Sequence, residues 1–216
     1  MIIAPTVALA ALGLLALPAL AFAQAQGNLL LRDWEPVSRM VTKETRVDKP
    51  KFPVIDLHNH LGDIGGGPDL RKALAEMDAA GVKVCVSLDA LSANDYYKKH
   101  IADLRAVSPD RFIAFFSPDF SRIDEPDFGR TEAARLADAY RLGARGLKIF
   151  KNLGLTLTDK SGKIVPVDDP HIDPIWAKCG ELGIPVMIHV TDPVAFFTPL
   201  DKYNERYDEL NAHPDW

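Results

Sequence analysis

From Pro53 onward, apolar runs of strand length alternate with segments of helical periodicity, and this rhythm constrains the fold more than any other feature of the chain. Pro53-Val54-Ile55-Asp56-Leu57-His58 is the first run. Leu70, Leu74 and Met77 then recur at helical spacing as far as Gly81, a residue type that readily ends a helix. Val82 to Leu88 reads as a second strand and Asn94 to Val107 as a second helix. Phe112 to Phe116 is a third strand, and the helix expected over Thr131 to Leu142 stops at Gly143. Gly146 to Phe150 is a fourth strand. A helix over Pro174 to Leu182, ended by Gly183, leads into a fifth strand over Pro185 to Val190. Strands joined through helices at this rhythm form right-handed βαβ units, so the expected fold class is α/β with a parallel sheet. Between the fourth strand and its helix, Leu155 to Val167 alternates apolar and polar residues around Asp159-Lys160-Ser161-Gly162, which predicts a β-hairpin at the mouth of the sheet.

An eight-stranded (β/α)8 TIM barrel takes about 250 residues. Residues 51–216 are expected to supply only about its first five βα units, leaving the barrel incomplete at the C-terminus. Residues 24–50 form a mixed polar leader arm. Ahead of them, Met1 to Ala23 carry no charge, are rich in Leu and Ala, and close on Ala21-Phe22-Ala23. That pattern predicts a signal peptide, although its start lacks the usual Lys or Arg. Pro5 and Pro18 interrupt it too often for a membrane span. The mature protein is therefore expected to be periplasmic or secreted, without stable membrane association. The chain holds 25 Lys and Arg against 30 Asp and Glu, well mixed, and no basic cluster suits a nucleic acid. Cys85 and Cys179, one on a strand and one on a distant helix, are expected to be separate buried thiols.

In a barrel, alternate strand residues point inward while the others pack under helices and should be aliphatic. Assigning Ile55 and Leu57 outward turns Asp56, His58 and His60 inward. Leu147 and Ile149 outward leave Lys148 inward, and Val186, Ile188 and Val190 outward leave Met187, His189 and Thr191 inward. Three strands thus aim three histidines and a lysine at the C-terminal face, where functional groups of such barrels collect. Two imidazoles spaced His-x-His on one strand share a face and suit a single divalent cation. A solitary histidine is more often a hydrogen-bonded core or surface residue, but three at inward positions favour a metal site. Lys148 admits three accounts: a carbamate formed with CO2 that bridges two metals, a cation that binds an anionic substrate group, or a buried stem with its head in solvent.

Other signals are weaker. Gly65-Gly66-Gly67 lacks the Gly-Lys-Ser/Thr of a phosphate cradle and reads as a flexible loop over the site. Asp89, Asp119 and Asp192 each follow a strand and are within reach of the pocket, yet loop aspartates more often cap turns. His100, His171 and His213 are expected at the surface. No Gly-x-Ser-x-Gly nucleophile motif is present.

Val54-Ile55-Asp56-Leu57-His58-Asn59-His60 resembles the amidohydrolase superfamily, particularly the amidohydrolase-related group that includes decarboxylases and lactonases. The similarity extends through Gly146-Leu147-Lys148-Ile149 and Leu182 to His189. The resemblance implies metal ligation by His58, His60 and His189, with one or two Zn2+-like ions, and carboxylation of Lys148 where a second ion is bridged. A strand-six histidine and a strand-eight aspartate of that pattern have no counterpart, so the general-base aspartate is expected beyond Trp216. The implied activity is metal-dependent hydrolysis of an amide, lactone or ester of a small molecule. A metal-dependent decarboxylase or hydratase acting on a small carboxylic acid is the closest alternative. An inactive truncated barrel or an exported binding protein is the other, and the resemblance leaves open whether the protein is a homo-oligomer.

Overall fold

The computed structural model describes residues 29–40, 42–43, 45–46, 50–62 and 69–214. The expected signal peptide and the Gly65-Gly66-Gly67 loop fall outside the described residues. Five strands form one sheet, β1 (Val54–Asn59), β2 (Val82–Leu91), β3 (Phe112–Ser117), β4 (Gly146–Ile149) and β5 (Val186–Ile188), paired in the order β1-β2-β3-β4-β5. Every pairing is parallel. Four helices make the returns: α1 (Leu70–Ala80), α2 (Tyr96–Val107), α3 (Phe128–Leu142) and α4 (Asp173–Leu182). This is the α/β architecture expected, a partial (β/α)8 barrel with about five of its units.

Local chemistry sets the helix limits. The Asp69 carboxylate accepts the N–H groups of Arg71 and Lys72 at the start of α1, two donors that the helix leaves unpaired. Gly81 at φ 76° and Gly183 at φ 61° close α1 and α4 in the left-handed region. The expected hairpin is present as one antiparallel bridge, Thr158 to Ile164, with Gly162 at φ 82° in its turn.

Two apolar layers flank the sheet. On the helix side, Cys85, Ala90, Phe112, Phe116, Leu147 and Ile149 pack with Met77, Tyr97, Ile101, Leu104, Leu136 and Ile175. On the opposite side lies a smaller cluster of Val86, Leu88 and Phe115, with Ile113 and Met187 against it. Lys148 sits between the helix-side Leu147 and Ile149, so the inward parity expected for β4 is observed. Cys85 and Cys179 are free and buried, also as expected.

The edge strands depart from expectation. Ile55 and Leu57 were assigned to a helix-covered outer face, yet both are more than half exposed, and Val190 is 71% exposed. Ile55 pairs with Val84, and it is Asp56 that pairs with the helix-side Cys85. The register therefore turns β1 over relative to the simple alternation.

Gly129 illustrates how tightly α3 and α4 approach. A Cβ there would lie 2.1 Å from the His171 carbonyl oxygen and 3.0 Å from the Pro174 ring. Alanine favours a helix interior over glycine by about 1 kcal/mol, but a backbone carbonyl cannot swing aside as a side chain can. Gly129→Ala is therefore expected to destabilise the protein by about 1–3 kcal/mol, the usual cost of overpacking. Chemical denaturation checks it, and a neutral or stabilising result would contradict the helix contact.

A separate unit combines leader residues 29–40 and 42 with 192–214. There Trp34 Nε1 donates to the Asn204 carbonyl at 2.9 Å, and the backbone N–H groups of Glu35 and Val37 donate to Lys202 and Tyr203. A short helix, α5 (Tyr207–Ala212), completes it. Asp192 belongs to this unit.

Candidate functional site

The site begins with an irregularity at the end of β1. Asp56 pairs with Cys85 and Asn59 with Ser87, so three steps along β1 match two along β2. Such a bulge re-aims the side chains it carries. The Asp56 carboxylate holds it in place, accepting the His58 N–H at 3.0 Å and the Asn59 amide at 2.9 Å. Asp56 is thus a support on the helix side beside Cys85, and not the inward group expected.

His58 lies with its ring centroid 5.5 Å from that of His60 and 6.3 Å from that of His189. The structure therefore brings His58 together with each of the other two. Burial pushes the His58 pKa down, and the positive charge of Lys148 and then the neighbouring His60 and His189 push the same way against Asp56. The neutral ring, with one nitrogen lone pair, is favoured.

His60 points to a residue that sequence reasoning had set aside. Its Nδ1–H donates to Asp89 Oδ1 at 2.7 Å, and the other carboxylate oxygen accepts the Gly62 N–H at 2.7 Å. Asp89 lies inside β2 and is 2% exposed, where a post-strand loop position was expected. A carboxylate only accepts, so Nδ1 carries a proton, and in the neutral ring the lone pair is then on Nε2. His189 has the opposite arrangement: its Nε2–H donates to the Thr191 carbonyl at 2.8 Å. Consistent with that bond, no three His, Cys, Asp or Glu side chains among the described residues are drawn into metal-holding geometry.

Lys148 is fully buried, and its Nζ has no hydrogen-bond partner. The ammonium lies 5.2 Å from the centroid of the Phe150 ring, whose other neighbour is the His60 ring, stacked at 6.2 Å. Burial lowers the Lys148 pKa. The account with a solvent-reaching head is excluded by this placement.

The remaining histidines divide. His171 is exposed and pairs with Asp169, as expected of a surface residue. His100 is corrected: it is 2% exposed, with Nε2 2.8 Å from Ser87 Oγ and its ring stacked on Tyr96. It shares the buried stripe of α2 with Tyr97, Ile101 and Leu104, a spacing visible in the sequence. Asp119 accepts the Ser121 N–H and caps a turn, as a loop aspartate should.

A parallel sheet that collects histidines and a buried lysine at the ends of its first, fourth and fifth strands defines a (β/α)-barrel fold with its polar groups at the C-terminal face. The chain belongs to the amidohydrolase family, whose model matches residues 55–205. No curated protein matches it. Among solved structures it is similar to 2,6-dihydroxybenzoate decarboxylase from Rhizobium, at 21% identity and a TM-score of 0.46, covering 76% of this chain and 55% of that one. It is also similar to 5-carboxyvanillate decarboxylase from Novosphingobium aromaticivorans, solved with manganese and 3-methoxy-4-hydroxy-5-nitrobenzoic acid, at 22% identity and a TM-score of 0.40. That match covers 60% of this chain and 37% of the other. The chain thus spans between about a third and just over half the length of these structures.

Proposed function

We propose that this amidohydrolase-family protein is a divalent-metal-dependent hydrolase of a small amide, lactone or ester, with His58, His60 and His189 as metal ligands and Zn2+ as the expected ion. The observation that carries the reading is the Lys148 amine, buried without a hydrogen-bond partner on the site side of β4. A buried polar atom left unsatisfied costs about 1–3 kcal/mol, so its retention implies a missing partner. The neighbouring donors fit a cation: a His58 ring favoured neutral, a His60 ring with its Nε2 lone pair unblocked, and His189 one ring rotation away from Thr191. A bound divalent cation supplies Lewis acidity toward a carbonyl oxygen and makes water acidic near neutral pH.

The chain's own residues do the rest. Burial lowers the Lys148 pKa and so eases release of its ammonium proton to solvent; the freed Nζ lone pair would then add to the CO2 carbon, an N–C bond forming as one C=O π bond opens and an N–H proton passes to solvent, to leave a carbamate anion. That anion would supply Lys148 as a ligand for a second ion. Asp89 keeps the His60 proton on Nδ1. Neither Asp56 nor Asp89 is placed to take a proton from water, because both carboxylates are committed to the His-x-His segment.

A second reading is favoured by the Phe150 contact, since a ring face attracts an ammonium over an amine. In it, Lys148 remains cationic and pairs with a substrate carboxylate, and the enzyme is a decarboxylase or hydratase with one metal. Metal titration of metal-free protein separates the two. Two equivalents, the second dependent on bicarbonate and lost in Lys148→Ala, support the hydrolase. One equivalent that survives Lys148→Ala, with KM raised for an anionic substrate, supports the lyase. No stoichiometric binding of Zn2+ or Mn2+ would overturn both. We further propose export, with a mature N-terminus near Gln24. N-terminal sequencing tests it, and an intact Met1 in the cytoplasm would refute it.

A further inference from the structure

We propose that Asp89 is the positioning residue of the His60 imidazole, and that Gly62 is glycine because it must admit the Asp89 carboxylate; this rests on the metal-ligand reading of His60. The side chain of His60 is about half exposed, whereas that of Asp89 is almost fully enclosed. Without Asp89 the ring would sample several rotamers and both neutral tautomers. With it, one oxygen fixes Nδ1–H at 2.7 Å, and the other is fixed in turn by the Gly62 N–H at 2.7 Å. A ligand imidazole whose second nitrogen donates to a carboxylate is held in orientation and is a more basic donor.

Two further features accommodate this contact. The first is the register shift in β2, where Ser87 pairs with Ala114 and Ala90 with Phe116, so Leu88 and Asp89 share the interval filled by one residue on β3. Leu88 goes into the small core with Val86 and Phe115, and Asp89 is left to meet His60. The second is Gly62. A Cβ there would stand 2.8 Å from Asp89 Cβ and 3.0 Å from Oδ2, and no unusual φ explains the glycine. Space for this carboxylate is the reason it lacks a side chain.

Asparagine at 89 sharpens the test because it keeps the shape and reverses the logic. The Gly62 N–H still requires an acceptor, so the amide oxygen takes that place and the NH2 faces His60. An NH2 donates, which forces His60 Nδ1 to accept and moves the ring proton to Nε2, the nitrogen meant for the metal. In the full-length metal-free protein, 15N-histidine NMR at alkaline pH, assigned with His60→Gln, should show the Nδ1–H tautomer in wild type and Nε2–H in Asp89→Asn. Zn2+ affinity, read by competition with a chromophoric chelator, should fall about 10- to 100-fold. Gly62→Ala keeps both polar residues but displaces the carboxylate, and should lose the tautomer preference and part of the affinity. An unchanged His60 tautomer in Asp89→Asn, or unchanged Zn2+ affinity in a wild type that binds Zn2+, overturns the proposal. If the tautomer inverts but wild type binds no Zn2+ or Mn2+, Asp89 positions His60 and the metal reading falls. If wild type binds Zn2+ and neither variant changes it, the metal reading stands without Asp89.

Discussion

Replacing Phe116 with alanine is expected to remove about 3–5 kcal/mol of stability. Its side chain is fully buried in the helix-side core and meets the Tyr97 ring edge-to-face, centroids 5.4 Å apart at 82°. Such a pair contributes about 0.5–1.5 kcal/mol beyond area burial. Phe116 stands on β3, the middle strand, and pairs with Ala90 of β2 and Leu147 of β4. A cavity there loosens both neighbours of the central strand, and the rigid sheet around it has little means of collapsing to fill it. Against a total stability of about 5–15 kcal/mol this is a large fraction. Urea denaturation checks it, with a loss under about 1 kcal/mol contradicting the packing. Zn2+ binding per folded molecule should change little, because Phe116 faces the helices and the histidines gather on the other side. That separation distinguishes a scaffold residue from a site residue.

Much of this frame is legible in the residue order. The two-residue alternation Leu147-Lys148-Ile149 is enough to bury the aliphatics under helices and turn the lysine to the other face, because β4 is regular and flanked on both sides. The glycines at 81 and 183 mark helix ends for a stereochemical reason that needs no tertiary context. Where the reading failed, the physics was non-local. β2 runs three residues past Leu88 because Asp89, a charged residue that argues for a loop, is satisfied by His60 and Gly62 from another strand and its loop. The same kind of shift inverted the start of β1: a first irregularity between Val54 and Ile55 sets Asp56 opposite Cys85, a second between Asp56 and Asn59 follows it, and strand alternation cannot report either. The buried His100 was a different miss. Tyr97, His100, Ile101 and Leu104 form one helical stripe, and a polar residue within it needs a buried partner, which Ser87 supplies. The turn of His189 toward the Thr191 carbonyl had no sequence signal at all.

Lys148→Met, in metal-free and CO2-depleted protein, is expected to raise stability at neutral pH by about 1–3 kcal/mol. Methionine matches the buried stem and leaves no polar atom without a partner, whereas Lys148 Nζ is fully enclosed and unbonded. The gain has a ceiling. The folded chain can always avoid a buried ammonium by releasing its proton, and from the ordinary lysine value of 10.5 that costs about 1.36 kcal/mol per pH unit, or about 5 kcal/mol at pH 7. The pH dependence carries the sign. Burial lowers the folded pKa, so between that value and 10.5 the unfolded chain binds the proton and the folded chain does not. Wild-type stability therefore rises with pH across that window, and below it the penalty is constant. The advantage of methionine should accordingly shrink as pH is raised from neutral toward 10.5. Denaturation curves at several pH values measure it, and a variant less stable than wild type at neutral pH would show that Lys148 has a partner in the folded chain. A residue whose removal stabilises the fold is held by function rather than by folding. The same variant should therefore lose the bicarbonate-dependent second metal equivalent if the carbamate reading is right, or bind an anionic substrate more weakly if the amine stays charged.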